Sequence, residues 1–179
     1  MTSQLEIERK FLVELPKSWE ALASLFDNIV DVKRIEQFYL KPPPGQQSPR
    51  IRKTIEGLRG STKVVYHFNQ KKSTKVKGVN KEKEEEITEK QYQSLLKDAL
   101  PDKRKVSKIR YVFKYENQLF ELDIFKDQLK GLAILEIELK DKDQKIKLPL
   151  FLKTRKEVTG DDKYSNFYLA DKSNKLSIA

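Results

Sequence analysis

The stretch LEIERKFLV, residues 5–13, alternates along its length. Glu6, Glu8 and Lys10 fall on every second position, with Leu5, Ile7 and Phe11 between them and Arg9 as the exception. A period of two over this span predicts a β-strand, with the three charged residues on one face. That face is either wetted by solvent or forms the wall of a charged site.

The same pattern recurs outward from this stretch. Strands are expected at 4–13, 29–40, 48–55, 62–71, 81–88, 105–115, 118–126 and 132–141. A short helix is expected in KSWEALASLF, with Trp19, Leu22, Leu25 and Phe26 on one face. Thr88, with Gln91 three residues on, forms a capping-box signature for a second helix bearing Leu95, Leu96 and Ala99. PPPGQQ (42–47) and STKVKGVN (73–80) read as loops, and Asn117 centres a hairpin turn. After residue 141 the pattern is irregular, with a terminal helix expected over 163–172. Eight mainly antiparallel strands suggest a closed barrel, which leaves no exposed edge.

Composition narrows the chemistry. The 179 residues read as a single domain over 1–179, 37% hydrophobic and 36% charged, with a formal net charge of +10. That charge favours an anionic partner. Cysteine is absent and histidine occurs once, which excludes thiolate sites and argues against a histidine-rich zinc site. No apolar run approaches membrane-spanning length, and no signal-peptide core opens the chain, so a cytoplasmic protein without membrane association is expected.

One face of strand after strand is ionic. After Glu6, Glu8 and Lys10 come Arg50 and Arg52, Asn69 and Lys71, Glu84 and Glu86, Lys108 and Arg110, Glu121 and Asp123, and Glu136 and Glu138. Either these faces are outward and solvated, or the barrel is inverted, with apolar faces under helices and charged faces lining a tunnel. The second arrangement gives two sets of groups. Carboxylates without cysteine suit hard cations such as Mg²⁺ or Mn²⁺. Arginine forks and lysine ammoniums suit phosphate oxygens. Together they describe a polyphosphate site held by side chains, since no glycine-rich phosphate loop is present.

EIERKFLV carries an E-x-E-x-K signature that resembles the CYTH superfamily of triphosphate tunnel metalloenzymes. EQFYL, RIRK, EEEIT, KIRY, FELDIF, LKGLAILEIEL and EVTGDDKYSNFYLA follow in the order of its short bacterial members. The resemblance implies a mainly β fold with some α: an eight-stranded antiparallel tunnel, ionic faces inward and helices packed outside. It implies divalent-metal-dependent hydrolysis of inorganic triphosphate to phosphate and pyrophosphate. Glu6, Glu8, Glu136 and Glu138 match the metal-binding positions. Lys10, Arg50, Arg52, Lys71 and Arg110 match those that hold phosphate. Glu84, Glu86 and Asp123 match further acidic tunnel positions.

Lys108 is the candidate general base, its pKa lowered by neighbouring cations, with Tyr39 able to hydrogen-bond its amine. Water activated by a metal at Glu136 or Glu138 is the competing source of the nucleophile. His67 shares the Asn69–Lys71 face, and Lys163 and Tyr164 lie in a segment that closes one tunnel mouth in relatives. An adenylate cyclase or another organic-triphosphate hydrolase is the enzymatic alternative, and a polyphosphate or nucleic-acid binding module the non-enzymatic one. A small-molecule triphosphate is favoured over nucleic acid as the partner, and a homodimer is left open.

Overall fold

The computed structural model describes residues 4–57, 60–73, 75–76 and 79–174; the side chains of residues 4–6, 19, 73 and 80 lie outside that description. Nine strands and three short α-helices follow in chain order. They are β1 (Gln4–Glu14), α1 (Trp19–Phe26), β2 (Ile29–Tyr39), β3 (Arg50–Glu56), β4 (Lys63–Ser73), β5 (Val79–Ile87) and α2 (Glu89–Leu95). After these come β6 (Val106–Tyr115), β7 (Gln118–Phe125), β8 (Ala133–Glu138), β9 (Lys153–Glu157) and α3 (Asn166–Leu169).

All the strands belong to one antiparallel sheet, ordered β5-β4-β3-β2-β6-β7-β8-β1-β9. Strand β1 also pairs with β5 over Gln4–Ile7, which brings the ladder back to its beginning around eight strands. Farther along the same strand, from Phe11 to Glu14, β1 pairs with β9 instead. The wall therefore parts between β5 and β9 and is not sealed along its whole length. This corrects the expectation of eight strands in a fully closed barrel.

The inversion expected from the resemblance is present. Register sets Lys10 opposite Glu136, Arg110 opposite Asp123, Arg50 opposite Asn69 and Lys71 opposite Glu82, so the ionic row runs round the interior. The alternate residues turn outward into two apolar layers. One joins Phe11, Phe113, Phe120, Leu122, Leu135 and Ile137 beneath Leu25 of α1 and Leu152. The other joins Leu40, Ile51, Phe68 and Ile87 beneath Tyr92 of α2. Burial of these faces is what commits each strand's register, because a slip of one residue would put charge into the outer layer and apolar groups into the interior.

Local signals act where expected. Thr88 caps α2, accepting from Gln91 N at 3.2 Å while the Gln91 side chain accepts from Thr88 N at 2.8 Å. The hairpin between β6 and β7 turns on Glu116 (φ 48°) and Asn117 (φ 60°), two consecutive left-handed residues that match the twist of the strands. Ser18 caps α1, accepting from Ala21 N at 3.3 Å. The expected terminal helix is shorter: a 3-10 turn at Asp162–Tyr164 precedes α3.

Candidate active site

Among the described residues, four ion-pair groups line the interior. In the first, Lys10 Nζ lies 3.1 Å from Glu136 and 3.3 Å from Glu8, bridging β8 and its own strand. Removal from water would depress the ammonium, but the two carboxylates outweigh that and hold its pKa above the ordinary lysine value.

The second group centres on Arg110. Its Nε donates to Asp123 at 2.6 Å and its Nη2 to Asp123 at 2.7 Å and Glu136 at 2.8 Å, while Nη1 pairs with Glu121. Three carboxylates on one guanidinium raise its pKa well above the arginine value despite burial, and burial in turn raises that of Glu121. Asp123 and Glu136 are both held below the usual carboxylate range by the surrounding cations. Asp123 also accepts from Lys108, whose side chain is 1% exposed. Burial dominates there and lowers the Lys108 pKa to about 8, with Arg110 adding repulsion.

The third group lies across the interior. Arg50 Nη2 donates to Glu82 at 2.9 Å, Asn69 donates to the same oxygen at 3.0 Å, and Lys71 Nζ is 3.4 Å from the other. Lys71 also lies 3.9 Å from Glu8, which ties this group to the first. In the fourth, Arg52 has Glu84 at 3.8 Å, and His67 Nε2 lies 3.7 Å from the same carboxylate. Burial and the neighbouring Arg50 and Arg110 lower the Arg52 pKa to about 10, outweighing the pull of Glu84 and Glu82. Its Nε is buried with no hydrogen-bond partner among the described residues.

A cavity of about 840 Å³ opens at one end, bounded by Glu8, Lys10, Arg50, Asn69 and Lys71 and covered by Tyr164, Phe167 and Tyr168 of the C-terminal segment. At that end the interior turns apolar: Tyr39, Val106, Phe125 and Ile134 pack with Leu169 and Ala170. The segment is fastened from outside, with Lys103 Nζ 2.7 Å from Asp171 and 4.1 Å from the Phe167 ring centre.

Most residues singled out from sequence meet in this interior. Lys71 turns inward and Lys72 is exposed, as the alternation requires. Glu138 stands opposite Glu8 in register but is exposed, and Glu86 is exposed opposite His67. The Glu6 and Trp19 side chains lie outside the described residues. The expected Tyr39–Lys108 hydrogen bond is corrected. Ile35, not Tyr39, is opposite Lys108; Tyr39 is four residues farther on, about 13 Å along the strand. Its hydroxyl accepts from Gln37 Nε2 at 3.3 Å, and its ring meets Phe167 edge-on. Glu82 and Gln37 were missed. Glu82 continues the alternation of Glu84 and Glu86 and could have been found; Gln37, fully buried, gave no such signal.

The family model described as the CYTH domain matches residues 4–177, nearly the whole chain. This chain belongs to the CYTH family. An inorganic triphosphatase of Acetivibrio thermocellus is 40% identical over 67 residues, 37% of this chain and 42% of that protein, so the match spans less than half of the relative. The crystal structure of the inorganic triphosphatase NE1496 is similar over 95% of both chains, at 29% identity and a TM-score of 0.56. PH1819 from Pyrococcus horikoshii shares the fold at 21% identity and a TM-score of 0.50, over 77% of this CYTH chain and 80% of its own. Among the described residues no helix is long and apolar enough to cross a membrane.

Proposed function

We propose that this CYTH protein hydrolyses inorganic triphosphate to phosphate and pyrophosphate with the help of Mg²⁺ or Mn²⁺. The observation that carries the reading is the cavity of about 840 Å³ rimmed by Lys10, Arg50 and Lys71, with the under-compensated Arg52 beside Arg50. A chain of phosphates presents several anionic oxygens at once to this row of cations, in competition with the carboxylates that now hold them. Both inorganic triphosphatases among the similar proteins support the substrate class, and the comparisons do not favour a cyclase.

The donor set suits a hard cation, being carboxylate oxygen throughout. Among the described residues no three acidic or histidine groups gather into a cluster that would hold a metal by itself. Mg²⁺ is commonly held by one or two carboxylates together with substrate phosphates, so a pair drawn from the acidic residues would suffice. Glu8, Glu136 and Glu138, with Glu6, are the residues that would hold it. A divalent cation held there would neutralise charge on the phosphate oxygens and polarise them.

The chain's own residues do the rest. Arg50, Arg52, Lys71 and Lys10 take the phosphate oxygens. Arg110, engaged by three carboxylates, sets the positions of Asp123 and Glu136 rather than acting as the main clamp. Lys108 serves as base in its neutral form, exchanging its Asp123 contact for a water. Water oxygen attacks the terminal phosphorus, its proton passes to the Lys108 amine, and the bridging P–O bond breaks to release pyrophosphate.

The test is phosphate and pyrophosphate release from inorganic triphosphate, ATP and thiamine triphosphate, each with Mg²⁺, Mn²⁺ or chelator. Fast, chelator-sensitive cleavage of inorganic triphosphate is expected. Cyclic AMP with pyrophosphate from ATP, or no turnover of inorganic triphosphate, overturns the reading.

A further inference from the structure

Glu82 stands out once the interior charges are sorted by what they touch. Of the three strand-borne cations that line the cavity, with Lys75 of the β4–β5 loop a fourth, Lys10 is held by Glu8 and Glu136. The other two, Arg50 and Lys71, are both held by Glu82. Asn69, 1% exposed, donates to that same carboxylate. Strand register makes this a built arrangement: Lys71 is directly opposite Glu82 on β5, and Arg50 directly opposite Asn69 on β4. The Glu82 side chain is only 15% exposed, so its attraction to both cations is poorly screened by water.

We infer that Glu82 is a built-in competitor of the products, a positioning and selectivity residue that acts through Arg50 and Lys71. This rests on the triphosphate reading above and adds to it the means by which product leaves. An anion arriving at this end must displace the carboxylate from both cations. Triphosphate does so with several charges spread along a chain that also reaches Lys10 and Arg52. Orthophosphate or pyrophosphate, with fewer charges and fewer contacts, loses a larger share of its binding to the same competitor. When the chain is cut, Glu82 returns to Arg50, Asn69 and Lys71 and offsets part of their charge without product.

The experiment compares wild type with Glu82→Gln and Glu82→Asp. Pyrophosphate and orthophosphate binding are read by calorimetry with Mg²⁺, initial rates on inorganic triphosphate are followed, and melting midpoints confirm folding. Removing one charge-assisted competitor is worth about a tenfold change in affinity. Glu82→Gln is expected to bind pyrophosphate about tenfold more tightly and show a lower kcat limited by release, with KM falling alongside it and a smaller change in kcat/KM. Glu82→Asp, which keeps the charge, is expected to restore much of the product rejection. Pyrophosphate affinity in folded Glu82→Gln that is unchanged within about twofold, or weaker, overturns the inference while leaving triphosphate hydrolysis by wild type intact. A wild type that neither binds these anions nor cleaves triphosphate overturns both.

Discussion

Lys108 and Asp123 form an ion pair with side-chain exposures of 1% and 0%, inside the wall between β6 and β7. They are not directly opposite in register: Lys108 faces Phe125, and Asp123 faces Arg110. The diagonal reach lets one carboxylate serve two cations, Lys108 and Arg110. Its replacement leaves two buried positive charges with one fewer anion. Asp123→Ala is expected to destabilise the fold by about 3–5 kcal/mol, the cost of stranding buried charge. Urea unfolding measures this, and a loss below about 1 kcal/mol contradicts it.

The Lys108 pKa, lowered to about 8, fixes the sign of the pH dependence. Below 8 the ammonium predominates and cannot accept a proton; above 8 the amine does. If Lys108 is the base, kcat rises with pH up to about 8 and then levels. Lys108→Arg, with a group that stays protonated, is expected to lose that rise together with most of the rate. Full activity of Lys108→Arg at every pH eliminates the base assignment.

Arg52 and Arg110 are expected to fail in opposite ways. Arg52 has one carboxylate at 3.8 Å, whereas Arg110 anchors three. Arg52→Ala should raise KM for triphosphate by about 10- to 100-fold, the worth of one charge-assisted contact, with a small change in melting midpoint. Arg110→Ala should depress the melting midpoint sharply, since Asp123 then loses its main support and Glu136 keeps chiefly Lys10. Paired kinetics and melting curves decide; equal stability losses contradict the distinction.

Acid stability follows from Asp123 and Glu136, whose pKa values lie below the ordinary carboxylate range in the folded chain. A depressed carboxylate stabilises the fold fully above its unfolded-state pKa. That stability is lost as the pH falls from there through the folded-state value. The urea midpoint should therefore hold level near neutrality and fall below about pH 4, where unfolded-state carboxylates take up protons. Glu136→Gln should flatten that fall; an unchanged acid limb shows the acid sensitivity lies elsewhere.

Glu138 tests the metal reading, being exposed, opposite Glu8, and in no ion pair among the described residues. Its loss should leave the fold intact. Glu138→Ala is expected to remove most triphosphate turnover and weaken Mg²⁺ or Mn²⁺ dependence without moving the melting midpoint. An unchanged rate at limiting metal removes Glu138 from the metal set.

Alternation in LEIERKFLV and its counterparts was enough to determine which residues of each strand share a face, because side chains in a strand alternate whatever the neighbours do. Residue chemistry alone also specified the capping box at Thr88 and the turn at Asn117. It could not reveal β9, whose KTRKE sequence has no apolar period and is held by backbone pairing to β1. Nor could it say which cation meets which acid. Those choices belong to register and closure: where Ile35 is opposite Lys108, where Glu82 reaches both Arg50 and Lys71, and where β1 passes from β5 to β9. Strand pairing joins residues far apart in sequence, so only the folded sheet decides whether a given charge is compensated or left available for a substrate.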